Sequence, residues 1–90
     1  MTGVTPPSGR PRKHSVLLQG HQTSVSLEDE FWQAFQDIAA QKGLSLNALA
    51  AQIDEARGIE AGLASAIRVY VLRHYQAQLA AELVDPQSNG

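Results

Sequence analysis

The sequence has no cysteine, and aromatic residues make up only 6% of its 90 positions. Without cysteine the chain forms no disulfide, no thiolate nucleophile and no cysteine-based zinc site. It also lacks an apolar run that could serve as a signal peptide or cross a membrane, so we expect a cytoplasmic protein without membrane contact. A chain of this length makes one small domain, and such domains often gain stability by oligomerising.

Residue patterns typical of catalysis are also missing. His14, His21 and His74 do not have the spacing of metal ligands. The acidic triplet at residues 28–30 is better explained by a helix start, where carboxylates complement the helix dipole. We therefore expect no enzyme activity, no metal, no cofactor and no catalytic residue.

Negative charge is absent from the first part of the chain. Residues 1–27 contain Arg10, Arg12 and Lys13 and no acid, whereas all nine acids follow from Glu28 onward. A basic segment on an acidic body can indicate contact with nucleic acid, although a solubilising tail explains the same pattern. Residues 1–13 are rich in Pro, Gly and Thr, which predicts a flexible basic arm, and residues 84–90 predict a disordered tail.

Between these ends, residues 14–83 show regular periods. Alternating apolar residues predict two strands, 14–19 and 22–27, joined by a type II′ turn at Gly20-His21. In that register Val16 lies opposite Val25. The other side of the ribbon carries Ser15, Leu17, Ser24 and Ser26.

Helical spacing then predicts three helices: 29–42, ending at Gly43, a second starting at the N-cap Ser45, and a long third over 62–83.

The order of strand, helix, "KGLSLN" and helix resembles the ribbon-helix-helix fold of the Arc/MetJ type. The pattern V-x-L, acidic helix start, A-x-x-x-G-x-S-x-N is met by residues 25–27, 28–30 and 39–47. The longer run, roughly residues 12–79, is similar to a bacterial subfamily with an extra N-terminal strand and an added C-terminal helix.

This resemblance implies a mainly α fold with a short β-ribbon, plus an additional long C-terminal helix. It also implies an obligate homodimer, in which the strands of two subunits pair and their helices interlock. The implied dimer core consists of Val25, Leu27, Phe35, Ile38, Leu49 and Ile53.

The function implied by the resemblance is transcription regulation, with the ribbon in the major groove of double-stranded DNA. Gln22, Ser24 and Ser26 would contact bases. The phosphate contacts would be Arg10, Arg12 and Lys13 in the arm and the start of the second helix at Ser45, Leu46 and Asn47.

The sequence departs from this family pattern in two places. Outward ribbon positions that usually carry Arg or Lys hold hydroxyls and one amide, and Leu44 occupies a position that is often basic. A dimeric protein-interaction module without DNA binding, with a partner protein on the C-terminal helix, therefore remains the alternative. An antitoxin-like module that binds both DNA and protein is a third interpretation.

Overall fold

The structure is a computed structural model that describes residues 10–57 and 62–83. Within these ranges it contains a β-hairpin followed by three helices. Their bounds are β1 Arg12–Leu18, β2 His21–Leu27, α1 Asp29–Lys42, α2 Leu46–Ala56 and α3 Leu63–Leu83. The predicted order, the bounds of α1 and the start of α2 after Ser45 are confirmed, and α3 begins one residue later than predicted. Most of the predicted arm and the whole predicted tail lie outside the described residues.

The hairpin turn differs from the predicted one. Gln19 and Gly20 form the two-residue loop, with φ of 51° and 82° respectively. Two positive φ angles are the signature of a type I′ turn, which matches the twist of the strands it joins. The predicted type II′ turn at Gly20-His21 is therefore wrong.

The register changes with the turn. Leu18 pairs with His21, Val16 with Thr23 and His14 with Val25, so the predicted opposition of Val16 and Val25 is also wrong. Pairing is displaced by two residues, and side chains alternate with a period of two. Each residue therefore keeps its predicted face despite the wrong register.

The helices begin and end for local reasons. The hydroxyl of Ser45 accepts a hydrogen bond from the N–H of Ala48 at 3.0 Å, the N-cap arrangement predicted for α2. Gly43 adopts a left-handed conformation with φ of 70° and closes α1. This turn directs α2 back against β1.

One hydrophobic core lies between the hairpin and the helices. β1 and β2 contribute their inner side chains, and α3 packs against α1, α2 and β2. The buried residues are Val16, Val25, Leu27, Phe35, Ile38, Ala39, Leu49, Ala50, Ile53, Ile67 and Val71.

The six residues assigned above to a shared dimer core all belong to this single-chain core. β1 pairs with β2 within the same chain, and α3 contacts α1 and α2. Participation of the six residues in a dimer contact stays a prediction.

Candidate nucleic-acid interface

The outer side of the hairpin is a continuous exposed surface. Its residues form three cross-strand pairs, Lys13 with Ser26, Ser15 with Ser24 and Leu17 with Gln22. We call these six residues the ribbon face. All have exposed side chains, and five of the six carry hydrogen-bonding groups.

The ribbon face contains a lysine that the sequence analysis placed elsewhere. β1 begins at Arg12, two residues earlier than predicted, so Arg12 and Lys13 belong to the strand. Because side chains alternate along a strand, Lys13 lies on the outer side of the hairpin, opposite Ser26. The ribbon face therefore has a basic residue, contrary to the departure noted from the sequence.

The N-terminus of α2 lies at the outer edge of β1. The side-chain Oδ1 of Asn47 accepts a hydrogen bond from the N–H of Leu17 at 2.9 Å. In the Leu17–Gln22 pair the backbone N–H of Leu17 points away from β2 and has no partner in the sheet. The hydrogen bond to Asn47 therefore satisfies a donor at the edge of the hairpin. Asn47 therefore positions the helix start, with Ser45 and Leu46, beside the ribbon face.

The predicted phosphate residues of α2 differ in exposure. Ser45 and Asn47 are exposed, whereas Leu46 is half-buried and packs against the core. The amide groups at a helix start point outward along the axis and are available to an anion, whatever the side chain. Leu46 can therefore contribute its backbone N–H while its side chain anchors the helix.

Arg68 of α3 supports the opposite edge of the hairpin. Its Nε donates to Oε1 of Glu28 at 2.9 Å, and its Nη2 donates to the carbonyl oxygen of Ser26 at 3.4 Å. The hydrogen bond from Arg68 holds the pKa of the Glu28 carboxyl below its ordinary value. The end of β2 is thereby tied to α3.

Arg12 occupies a different place from Lys13. It lies opposite Leu27 on the inner side of the hairpin, and its Nη1 is 3.5 Å from Oδ2 of Asp29. Arg10 is exposed just before β1. Of the three predicted arm residues, only Lys13 therefore lies on the ribbon face.

Beneath the hairpin, the His14 ring stacks on Trp32 with ring centroids 4.2 Å apart and planes at 8°. Within the described ranges, no hydrogen-bond partner meets the buried Nε2 of His14. This contact joins the middle of β1 to α1. The inner side of the hairpin therefore packs against α1 at this point, and the ribbon face lies on the opposite side.

Gln22, Ser24 and Ser26 all lie on the ribbon face, as the alternation predicted. Lys13 was missed as a ribbon residue because the proline- and glycine-rich residues before it suggested a longer arm. Arg68 was missed as well, since the sequence carries no local signal for it and its partners lie 40 and 42 residues away.

Two other kinds of site receive no support from the described part of the chain. Residues 10–57 and 62–83 contain no cluster of three His, Asp or Glu side chains that could hold a metal ion. Over the same ranges, none of the helices has the length and apolarity needed to span a bilayer.

The family model described as "Ribbon-helix-helix domain" matches residues 11–75. A solved structure, that of an uncharacterized protein from Bordetella pertussis Tohama I, is similar to this chain with a TM-score of 0.70 and 31% sequence identity. That similarity covers 93% of this chain and 70% of the other. No curated protein matches the chain.

The matched residues run from the start of β1 into α3 and include the whole ribbon face. Hairpin, α1, the Gly43 turn and α2 follow one another as the resemblance implied. With a family model over most of its length and this order of elements, the chain belongs to the ribbon-helix-helix family, a family of DNA-binding regulators rather than of enzymes.

Proposed function

We propose that this protein is a transcriptional regulator that inserts its ribbon face into the major groove of DNA. A major groove admits a two-stranded β-ribbon, and here one chain supplies both strands. The observation that carries the proposal is the ribbon face itself, which is exposed along its whole length and presents Lys13 among hydroxyl and amide groups.

The residues of the ribbon face suit different base edges. The Lys13 ammonium can donate to O6 and N7 of guanine, and the amide of Gln22 can pair with N6 and N7 of adenine. Ser15, Ser24 and Ser26 can donate or accept, so they contribute adaptable contacts. Leu17, 46% exposed, is suited to the methyl group of thymine.

Phosphate contacts would flank the groove. The α2 N-terminus stands beside Leu17 through the Asn47 hydrogen bond, so its free N–H groups can bind a backbone phosphate next to the ribbon. Arg10 lies at the other end of β1 and is exposed. These contacts set the orientation of the ribbon, and the ribbon face then reads the bases.

The charges near the hairpin favour DNA binding more than the net charge of the whole chain does. The acids nearest the open end of the hairpin are Glu28 and Asp29, which form ion pairs with Arg68 and Arg12. Residues 10–27 contain three cations and no acid. The hairpin side is therefore more positive than the formal net charge of −2 suggests.

The proposed regulator acts in the cytoplasm as a homodimer that holds two ribbons. Two-fold related half-sites are the usual targets of dimeric regulators of this size. A dimer also multiplies the phosphate contacts of a small basic surface.

The test is binding of labelled duplex DNA, selected from a random pool, measured at several salt concentrations. Lys13→Gln is expected to reduce affinity about 5-fold to 150-fold if the lysine pairs with guanine. If it contacts a phosphate, the log–log salt slope falls by about 0.9 instead. Arg73→Gln makes the same charge change on α3, away from the hairpin, and should leave both quantities unchanged.

Ser24→Ala tests base reading separately from charge. It should reduce the preference for the selected sequence and leave binding to random DNA in place, because a hydroxyl makes little contribution to phosphate neutralisation. Equal losses for Lys13→Gln and Arg73→Gln, or no DNA selected even at low salt, would contradict the proposal.

A groove of about 660 Å³ between α2 and α3 favours a second candidate, the protein-interaction module. Its lining includes the apolar residues Ile53, Ala56 and Val69 and the cation Arg73. Arg57, the other arginine of the groove, pairs with Asp54 at 2.7 Å. Under this function the wild type selects no DNA, and Arg73→Gln weakens capture of the partner protein.

A further inference from the structure

The groove between α2 and α3 has the size of a small-molecule site. Its volume of about 660 Å³ lies within the range of roughly 300–1,000 Å³ that such sites occupy. Residues 52, 53, 56 and 57 line it on α2, and residues 65, 66, 69, 70 and 73 line it on α3. On each helix these positions recur four residues apart and therefore share one face. An inorganic ion would leave most of this volume empty, whereas an organic molecule would fill it.

Most of the described lining residues are apolar or aromatic. They are Ile53, Ala56, Ala66, Val69 and Tyr70. Val69 is 45% exposed, so a ligand in the groove would remove apolar surface from water. Tyr70 is half-buried and adds a ring against which an aryl group can pack. The lining therefore favours a ligand with a hydrocarbon body.

Basic residues are concentrated at this groove. Residues 28–90 contain nine acids and only four basic residues. Two of the four, Arg57 and Arg73, line the groove, and no acid is found among its described lining residues. A third, Arg68, forms the ion pair with Glu28 and does not line the groove. The lining is therefore complementary to a negatively charged ligand, although this part of the chain is acidic.

The two arginines of the groove differ in their contacts. Arg57 is half-buried, and its Nε lies 2.7 Å from Oδ1 of Asp54. Arg73 is exposed, and within residues 10–57 and 62–83 no carboxylate pairs with its guanidinium. A guanidinium presents a planar fork of donors that fits a carboxylate through two parallel hydrogen bonds. One uncompensated cation beside an apolar surface suits a ligand with one carboxylate.

We propose that this groove binds a small organic anion, a monocarboxylate with an aryl or alkyl body. The carboxylate accepts hydrogen bonds from Arg73, and the hydrocarbon part lies between Ile53 of α2 and Val69 of α3. The site goes beyond the proposed DNA binding and does not depend on it, because the groove and the ribbon face share no residue.

The extent of the lining favours a small molecule over a segment of a partner protein. Nine described residues line the groove. Specific protein–protein interfaces use roughly 20–30 residues on each side, so a stable protein contact would have to extend far beyond this surface. A small carboxylate can be enclosed by the lining residues alone.

The experiment is a titration of the full chain, followed by ¹H–¹⁵N NMR, with three probes. 4-Phenylbutyrate carries both a ring and a carboxylate, 4-phenylbutan-1-ol has the same skeleton without the charge, and acetate has the charge without the body. 4-Phenylbutyrate should bind with a Kd of about 1 mM, as expected for a ligand of this size. The alcohol should bind at least about 5-fold more weakly, and acetate should not saturate. The largest amide shifts should fall on residues 52–57 and 65–73.

Arg73→Gln tests the anion contact. It should raise the Kd of 4-phenylbutyrate about 5-fold, the upper end of the effect of an exposed ion pair, and leave that of the alcohol unchanged. Lys42→Gln is the matched control, because it removes an exposed cation at the end of α1 that does not line the groove. It should leave both Kd values unchanged.

Val69→Asp and Val69→Asn form a second matched pair. The two new side chains are nearly equal in size, but only Asp adds a negative charge, one helical turn before Arg73, where it can pair with the guanidinium. 4-Phenylbutyrate should therefore bind Val69→Asp about 5-fold more weakly than Val69→Asn, and the alcohol should bind both alike. Position 69 is exposed, so the NMR spectra should show both variants folded.

Equal Kd values for the acid and the alcohol, equal effects of Arg73→Gln and Lys42→Gln, or no saturable binding of 4-phenylbutyrate would overturn the proposal. Amide shifts concentrated at Leu72, Leu79 and Leu83 would overturn it as well, because the probe would then bind the exposed leucines of α3. All titrations are made without DNA, so failure of this site and failure of the proposed DNA binding are distinguishable.

Discussion

Arg68 makes hydrogen bonds to residues 40 and 42 positions earlier in the chain. It reaches the carboxylate of Glu28 and the carbonyl of Ser26, and its guanidinium lies 5.9 Å from the ring centroid of Phe31. The Glu28–Arg68 ion pair is only partly exposed, at 29% and 30% for the two side chains. Since Arg68 favours the ionised carboxylate, the folded state holds Glu28 at a lowered pKa.

A lowered pKa in the folded state makes stability depend on pH. The contribution of Glu28 is fully present above its ordinary pKa of 4.5, the value in the unfolded chain, and it is lost as the pH falls through the lower folded value. We therefore predict that Glu28→Gln reduces the urea midpoint at pH 7 but makes that midpoint less sensitive to pH below about 5.

The measurement is urea unfolding of wild type and variant at several pH values from neutral to acid. Glu30→Gln provides the control, because Glu30 is an exposed acid in the same first turn of α1. If the two variants show the same pH dependence, the Arg68 contact does not set the acid response. A Glu28→Gln protein that loses stability with acid as steeply as the wild type gives the same conclusion.

At the scale of elements, the hairpin turn contains a strained residue. Gln19 has φ of 51°, a left-handed conformation that costs a non-glycine residue roughly 1–2 kcal/mol. Asn tolerates this conformation better, and Asn-Gly is the preferred sequence of a type I′ turn. With glutamine at position 19 the hairpin is therefore less stable than the same turn would be with asparagine.

We predict that Gln19→Asn raises the free energy of unfolding by about 0.5–1 kcal/mol. The side chain lies in the turn and not on the ribbon face, so DNA binding should not change. Gln36→Asn makes the same chemical change on the exposed side of α1, where Asn is the poorer helix former, and should lower stability slightly. Urea unfolding measures both, and destabilisation by Gln19→Asn would show that the turn is not type I′.

At the scale of the whole molecule, the core is complete within one chain. The hairpin supplies both strands, and α3 packs against α1, α2 and β2. Leu27, Phe35 and Leu49 are each 0% exposed. These three side chains are therefore covered by contacts within a single chain.

Leu27→Ala is predicted to lower the free energy of unfolding by about 2–5 kcal/mol, the usual range for emptying a buried leucine site. Urea unfolding of wild type and variant measures the loss. A Leu27→Ala protein as stable as the wild type would contradict the burial of Leu27 in the core.

Local patterns in the sequence were sufficient to predict the strands and the helices. Period-two alternation identified both strands and their outward serines, and helical spacing with Ser45 and Gly43 placed the helix ends correctly. These signals are local, since each depends on neighbours within a turn or a strand. The sequence also placed Gln22, Ser24 and Ser26 on one surface, because a register error of two residues leaves strand faces unchanged.

Only the tertiary structure determined the strand register, the contacts between distant residues and the packing of α3. The turn at Gln19-Gly20 set the register, and pairing with Ser26 showed that Lys13 belongs to the ribbon face. The Arg68 contacts and the single-chain core depend on residues far apart in sequence, so no window of the chain contains them. α3 has apolar residues on two sides, and only its packing against the rest of the chain determines which side enters the core and which remains at the surface.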